Sequence, residues 1–139
     1  MKVAEAVHPA LAQVLEKWNL GAANWDPAGL SAAYTDDGLM YAGRPEHVVG
    51  HEAILKYFAS YEGEILGAHL TMPDPIIRPL ADDAVLIQGD VHFKFHLSGD
   101  EHTRTHMRGT LVLVKRNEGW RILDHHFSAV PEAPPLGRS

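Results

Sequence analysis

The sequence predicts an α+β domain in which three helices precede a meander of long antiparallel strands. Three observations carry that reading. Apolar residues recur at helical spacing through the first third of the chain. After Gly63 the period changes to strict two-residue alternation. No repeat, linker or low-complexity run divides the 139 residues, so residues 1–131 read as one domain and 132–139, with Pro134, Pro135 and Gly137, as a flexible tail.

Val7, Leu11, Val14, Leu15, Trp18, Ala22 and Trp25 make one stripe over five helical turns, with Glu16 and Lys17 off it. Asp26-Pro27 is a cap followed by a first-turn proline, which predicts a second, short helix from 27 to about 34. Thr35-Asp36-Asp37-Gly38 ends it, and 39–42 reads as a short strand. Gly50 precedes a third helix whose apolar face is Ala53, Ile54, Tyr57, Phe58 and Tyr61. A strand is expected at 65–72, its continuation held to an edge or bulge by prolines 73, 75 and 79. Segment 84–97 alternates most cleanly: Val85, Ile87, Gly89, Val91, Phe93, Phe95 and Leu97 against Gln88, Asp90, His92, Lys94 and His96. Turns at 98–101 and 117–119 lead to strands at 103–116 and 120–129.

Composition narrows the function. Twelve basic against eighteen acidic side chains give a net charge of −6, which argues against a phosphate-binding surface and so against nucleic acid as a partner. The absence of cysteine excludes disulfides, thiolate nucleophiles and Cys-type metal sites. No apolar run reaches the ~20 residues of a membrane helix, and no leader-like start is visible. No membrane association and a cytoplasmic location are the expectations. Ten histidines are the outlying count.

Registering the hairpins sorts those histidines. A first turn centred on residue 100 sets His92 opposite Arg108; a second near 117 sets Gly109 opposite His126. One face then carries Val91, Phe93, Phe95, Met107, Leu111, Leu113, Trp120 and Ile122, ending in Asp124, His126 and Ser128. The other carries Asp90, His92, Lys94, His96, Arg104, His106, Arg108 and His125. The apolar face should meet the helices, so Asp124, His126 and Ser128 become polar groups on the core side, where a stranded group costs about 1–3 kcal/mol. That cluster is the catalytic candidate: His126 as general acid or base, oriented by Asp124 or Ser128. Their spacing of about 7 Å along a strand is too wide for a serine-hydrolase triad. The competing reading is structural, with both side chains bonded to helix termini. Trp18, Trp25, Tyr34 and Tyr57 are candidate substrate-binding aromatics, or core packing. Asp36-Asp37 suits either a pocket mouth or a turn. His92, His96, His106 and His125 invite a metal, but Lys94, Arg104 and Arg108 beside them disfavour a dication. No metal or cofactor is expected. Arg104 and Arg108 suit pairing with acids across a dimer interface.

The run Gly119-Trp120-Arg121-Ile122-Leu123-Asp124-His125-His126-Phe127-Ser128-Ala129-Val130-Pro131 resembles the ending of nuclear transport factor 2-like proteins, in particular the SnoaL-like and kinase-association-domain branches. Trp25, Tyr34-Thr35-Asp36-Asp37-Gly38 and Val49-Gly50-His51-Glu52-Ala53-Ile54 resemble that family's N-terminal segments, so the likeness spans roughly 11–131. It implies a cone-shaped, cystatin-like fold: a bent antiparallel sheet wrapped around three helices, a pocket at the open end, and a homodimer through the outer sheet face. Function is not implied by fold alone. The family's ketosteroid-isomerase and epoxide-hydrolase residue sets find no clear match here. The histidine–serine–proline ending of metal-free carbonic anhydrases is matched by His126, Ser128 and Pro131. The expected activity is that of a cofactor-free isomerase, cyclase or lyase on a small organic ligand, with proton transfer by a pocket histidine. The alternatives are a non-catalytic ligand-binding or dimeric association module, and a metal-free carbonic-anhydrase-like activity.

Overall fold

A computed structural model describes residues 8–137. Helix α1 (Pro9–Ala22) begins on its proline, and His8 closes the N-terminus by accepting the Ala10 N–H on Nδ1 at 3.0 Å. Leu11, Val14, Trp18 and Ala22 form its buried stripe. Val7, the first residue expected in that stripe, lies outside the described residues. Gly21 is required where α1 meets α2 (Pro27–Ser31): a Cβ there would lie 2.6 Å from the Gly29 carbonyl carbon. Asp26 occupies the cap position of α2 but makes no side-chain cap bond.

Helix α2 is shorter than the expected 27–34 because β1 (Tyr34–Tyr41) has already begun. Strand β1 runs parallel to the last strand, β7 (Gly119–Ala129), a departure from the all-antiparallel expectation. The pairing jumps from Tyr34–Ile122 to Leu39–Asp124. The turn-like Thr35–Gly38 stretch is therefore an irregularity inside a strand. A two-residue strand β2 (Val48–Val49) covers the free edge of β1, and α3 (His51–Ala59) follows, burying Ile54 and Phe58.

Strands β3 (Ile65–Thr71), β4 (Ile76–Ala81), β5 (Ala84–Leu97) and β6 (Glu101–Arg116) complete one curved, unclosed sheet of order β2-β1-β7-β6-β5-β3. β4 joins the same edge of β5 as β3 does, farther along. The proline-rich 72–75 segment between them breaks what would otherwise be one edge strand. Val85, Ile87, Val91, Leu111, Leu113 and Ile122 point inward and are almost fully buried against the helices. Each such side chain contributes about 1.5–3 kcal/mol of burial. Among the described residues no helix is long and apolar enough to cross a membrane.

The two hairpins depart from the expected registers in different ways. In the first, Asp90 pairs with Arg108 and His92 with His106. That is a two-residue shift, and with a period of two it leaves both faces as expected. In the second, the expected register holds from Arg116–Gly119 to Leu113–Ile122. A bulge at Leu123 then shifts it by one, so that Gly109 opposes Phe127 and Thr110 opposes His126. Beyond the bulge the two faces of β7 are exchanged.

Candidate functional site

The exchange corrects the sequence expectation for β7. His126 is exposed on the outer face and Asp124 and Ser128 are half-exposed, so none of the three occupies the core side. His125, expected outside, is 4% exposed and faces the helices. His126 lies beside Tyr41, ring centroids 5.1 Å apart, and Tyr41 stacks on His47 at 4.4 Å. Ser128 Oγ accepts from Arg108 Nη2 at 3.3 Å. His126 and Ser128, with Asp90 and Arg108, line an outer-face trough of about 500 Å³.

Inside the cone is a different space. A cavity of about 130 Å³ is lined by Trp18, Trp25, Tyr57, Phe58, Tyr61, Phe93, Phe95, Met107, Phe127 and His125, with Ala42, Gly43 and Ile65 at its edges. Three of the four expected substrate-binding aromatics, Trp18, Trp25 and Tyr57, are in that wall. Tyr34 is behind it, buried and bonded to two wall residues.

Each aromatic is held by a specific partner. Trp25 Nε1 donates to the Phe58 carbonyl at 2.9 Å. Its backbone has φ 47°, a left-handed conformation that a bulky side chain rarely adopts and that costs about 1–3 kcal/mol. The strain turns the chain from α1 to α2 with the indole pointing inward. Trp18 packs against Trp25, Phe58 and Phe93 at centroid distances of 6.4, 6.3 and 5.9 Å. At the rim, Tyr57 Oη accepts the Gly43 N–H at 2.9 Å. A Cβ on Gly43 would come within 2.7 Å of Tyr61 Oη, so glycine lets the loop close over both tyrosines. The Arg44 guanidinium lies 4.2 Å over the Tyr61 ring and bonds Ser60. Burial pushes the Tyr57 and Tyr34 hydroxyls well above the usual phenol range, so both are protonated.

The one strongly polar side chain of the wall is His125. Its Nδ1 is 2.7 Å from Tyr34 Oη, which also lies 3.2 Å from Trp18 Nε1. The ring lies against Phe127, centroids 3.8 Å apart. Its Nε2 is buried with no hydrogen-bond partner. Desolvation, reinforced by the adjacent His126, pushes its pKa down to about 3, so the ring is neutral at physiological pH. Sequence reasoning missed His125, although a signal existed. Ile122 and Phe127 are both large and apolar but five residues apart, and two inward positions at odd spacing require a bulge between them.

His92, His96 and His106 are outside, as expected, and so is His102. His92 stacks on His106 at 4.7 Å and His96 on His102 at 4.5 Å. Asp90 bonds His106, and Asp100 bonds His96 at 3.0 Å and lies 3.4 Å from His102. Nitrogen and oxygen atoms of His96, Asp100 and His102 gather within 4.8 Å at the exposed tip of the β5–β6 hairpin. The two imidazoles hold the Asp100 carboxyl below the usual carboxylate range. Asp37, one of the pair considered for the pocket mouth, instead accepts from Arg116 at 2.9 Å on the surface.

The family model for the SnoaL-like domain matches residues 11–132. No curated protein matches the chain. Among solved structures, a candidate calcium/calmodulin-dependent protein kinase II association domain from Xanthomonas campestris is 26% identical, with a TM-score of 0.78 over 88% of this chain and 87% of its own. A candidate scytalone dehydratase from Novosphingobium aromaticivorans is 14% identical, with a TM-score of 0.75 over 99% and 97%. A hexachlorocyclohexane dehydrochlorinase is 16% identical, with a TM-score of 0.69 over 97% of each chain. Other matches are described as having a cystatin-like fold.

Proposed function

The chain belongs to the SnoaL-like domain family of the nuclear transport factor 2-like superfamily, and from that premise we propose a small-molecule enzyme of isomerase or lyase type that works without a cofactor. The observation that carries the reading is His125, an imidazole in the wall of a largely apolar cavity whose buried Nε2 has no hydrogen-bond partner. Leaving such a group unpaired costs about 1–3 kcal/mol, and a bound substrate is what relieves it. The pocket histidine of this reading is therefore His125, in place of His126. Trp18, Trp25 and Tyr57 hold the apolar body of the substrate and keep water out, and Tyr34 orients the imidazole from behind. The fold shared with a candidate dehydratase and a dehydrochlorinase, whose names describe eliminations from small molecules, supports this class. Its test is a panel of β-hydroxy ketones and unsaturated ketones, with turnover followed by ultraviolet absorbance. His125→Ala should lower turnover by about 10²-fold or more, whereas His126→Ala should retain it. Equal turnover by wild type and His125→Ala would falsify the assignment.

A second reading has its own support in the 26% identity to a kinase association domain. It makes the chain a homodimeric module whose outer face, with Arg104, Arg108 and the trough at His126, meets a second copy. Light scattering decides it: a particle of 15.3 kDa at working concentration rules the dimer out. The carbon dioxide hydration reading rests on His126, Ser128 and Pro131, and the first two line the trough rather than the cavity.

A further inference from the structure

We propose that His125 is a neutral hydrogen-bond donor fixed in the Nε2–H form by Tyr34, and that the cavity selects small uncharged molecules presenting an acceptor, most simply a ketone or aldehyde oxygen. The proposal deepens the pocket reading above and rests on it. It follows from counting donors. The indole Nε1–H of Trp18 can only donate, and the oxygen within reach is Tyr34 Oη at 3.2 Å. Tyr34 Oη therefore accepts from Trp18 and keeps its own proton to place. The acceptor within reach of that proton is His125 Nδ1 at 2.7 Å.

The opposite arrangement fails the count. If Nδ1 carried the proton, two N–H groups would converge on Tyr34 Oη. The buried Tyr34 hydroxyl proton would have nowhere to go, and Nε2 would be a bare lone pair among aromatic rings. Two buried groups would be stranded instead of one. In the relay Trp18 to Tyr34 to His125 every group is paired except the final Nε2–H, which is the atom left without a partner. Burial keeps the imidazole uncharged, and a neutral imidazole serves as an electrophile toward an oxygen.

The remaining wall defines the ligand. Trp25, Phe58, Phe93, Phe95 and Phe127 carry no charge and offer no counter-ion, so a carboxylate or ammonium would enter unpaired and at high cost. The volume, about 130 Å³, is near that of an apolar cavity known to take benzene. A neutral six-membered ketone fits on both counts. In a reaction that builds negative charge on that oxygen, an Nε2–H bonded to it would stabilise that charge.

Long-range proton–nitrogen spectra of the full chain, labelled with nitrogen-15 histidine, read the tautomer without any variant. His125 should show a protonated Nε2 and a bare Nδ1 throughout pH 5–8, and Tyr34→Phe should mix the two forms. A protonated Nδ1 in the wild type overturns the proposal. Titration with cyclohexanone and its isostere methylenecyclohexane then tests the ligand class. The ketone should bind about tenfold tighter, the net effect of one neutral hydrogen bond, and shift the Nε2 proton. His125→Phe should bring the two within about twofold of each other. Equal binding of both by the wild type overturns the donor assignment and leaves the pocket reading standing. Binding of neither at millimolar concentration overturns both.

Discussion

Lowering the pH from 7.5 to 5.5 should destabilise the protein through His125 alone by about 1 kcal/mol. The imidazole is 4% exposed, packed on Phe127 and tied to Tyr34, and its pKa in the fold is about 3. In the unfolded chain it returns to the ordinary value of about 6.5. Between those values the unfolded chain binds a proton that the folded chain refuses, so stability rises with pH across that window and falls as acid is added. At pH 7.5 the effect is negligible. At pH 5.5 the unfolded side chain carries about 0.9 proton, and the folded-to-unfolded ratio drops about tenfold. The pH 5.5 figure depends hardly at all on where the folded pKa lies below 4.5. Urea unfolding at pH 7.5, 6.5 and 5.5, followed by tryptophan fluorescence, measures the slope in wild type and in His125→Phe. The constant cost of the substitution cancels in that comparison, and only the pH-dependent part remains. If both proteins lose stability in parallel, His125 takes up its proton while folded, and the picture of a sequestered neutral ring is refuted.

Three further outcomes follow from the packing. Gly109→Ala would place its Cβ 2.5 Å from Val91 Cγ2 and 2.6 Å from Phe127 Cδ1, both in the packed core, and should cost about 1–3 kcal/mol by urea unfolding. Gly21→Ala meets backbone atoms at 2.6 Å, which cannot rotate away; a Tm loss at least as large as that of Gly109→Ala is expected, and an unchanged Tm would refute the close approach of α1 and α2. Tyr34→Phe removes the hydroxyl between Trp18 and His125 and strands two buried groups, for a loss of about 2 kcal/mol or more at pH 7.5; calorimetry checks it.

The long strands and the first helix were legible because local pattern and burial agree there. Alternation from Val85 to Leu97 survives because β5 is paired along its length with β6, and most of its inward residues join the core cluster. The stripe of α1 was legible for the same reason. Strand β1 was half hidden. Its partner positions on β7 lie 85 to 88 residues away, and Asp36-Asp37-Gly38, a turn by composition, sits in the pairing irregularity. At the candidate site the aromatic wall was largely visible: Trp18 and Tyr57 stand where the helical periodicity points them, whereas Trp25, expected in the same stripe, lies past the end of α1 and is turned inward by its left-handed backbone. The histidine was misassigned by one place, since a single extra residue at Leu123 reverses what alternation implies for everything after it. Its position depended on Ile122 and Phe127 both requiring burial, a constraint that acts through packing and not through local period.

Because two histidines are adjacent in β7, either phase of the strand delivers an imidazole to the interior. With the bulge at Leu123, the delivered ring is His125 and its companion is Phe127, so its surroundings are apolar. A regular strand of the same sequence would deliver His126 in the company of Asp124 and Ser128, a polar lining suited to a charged ring. One residue's worth of slack thus selects between two surroundings for the same functional group, and the duplicated histidine keeps an imidazole inside in either case.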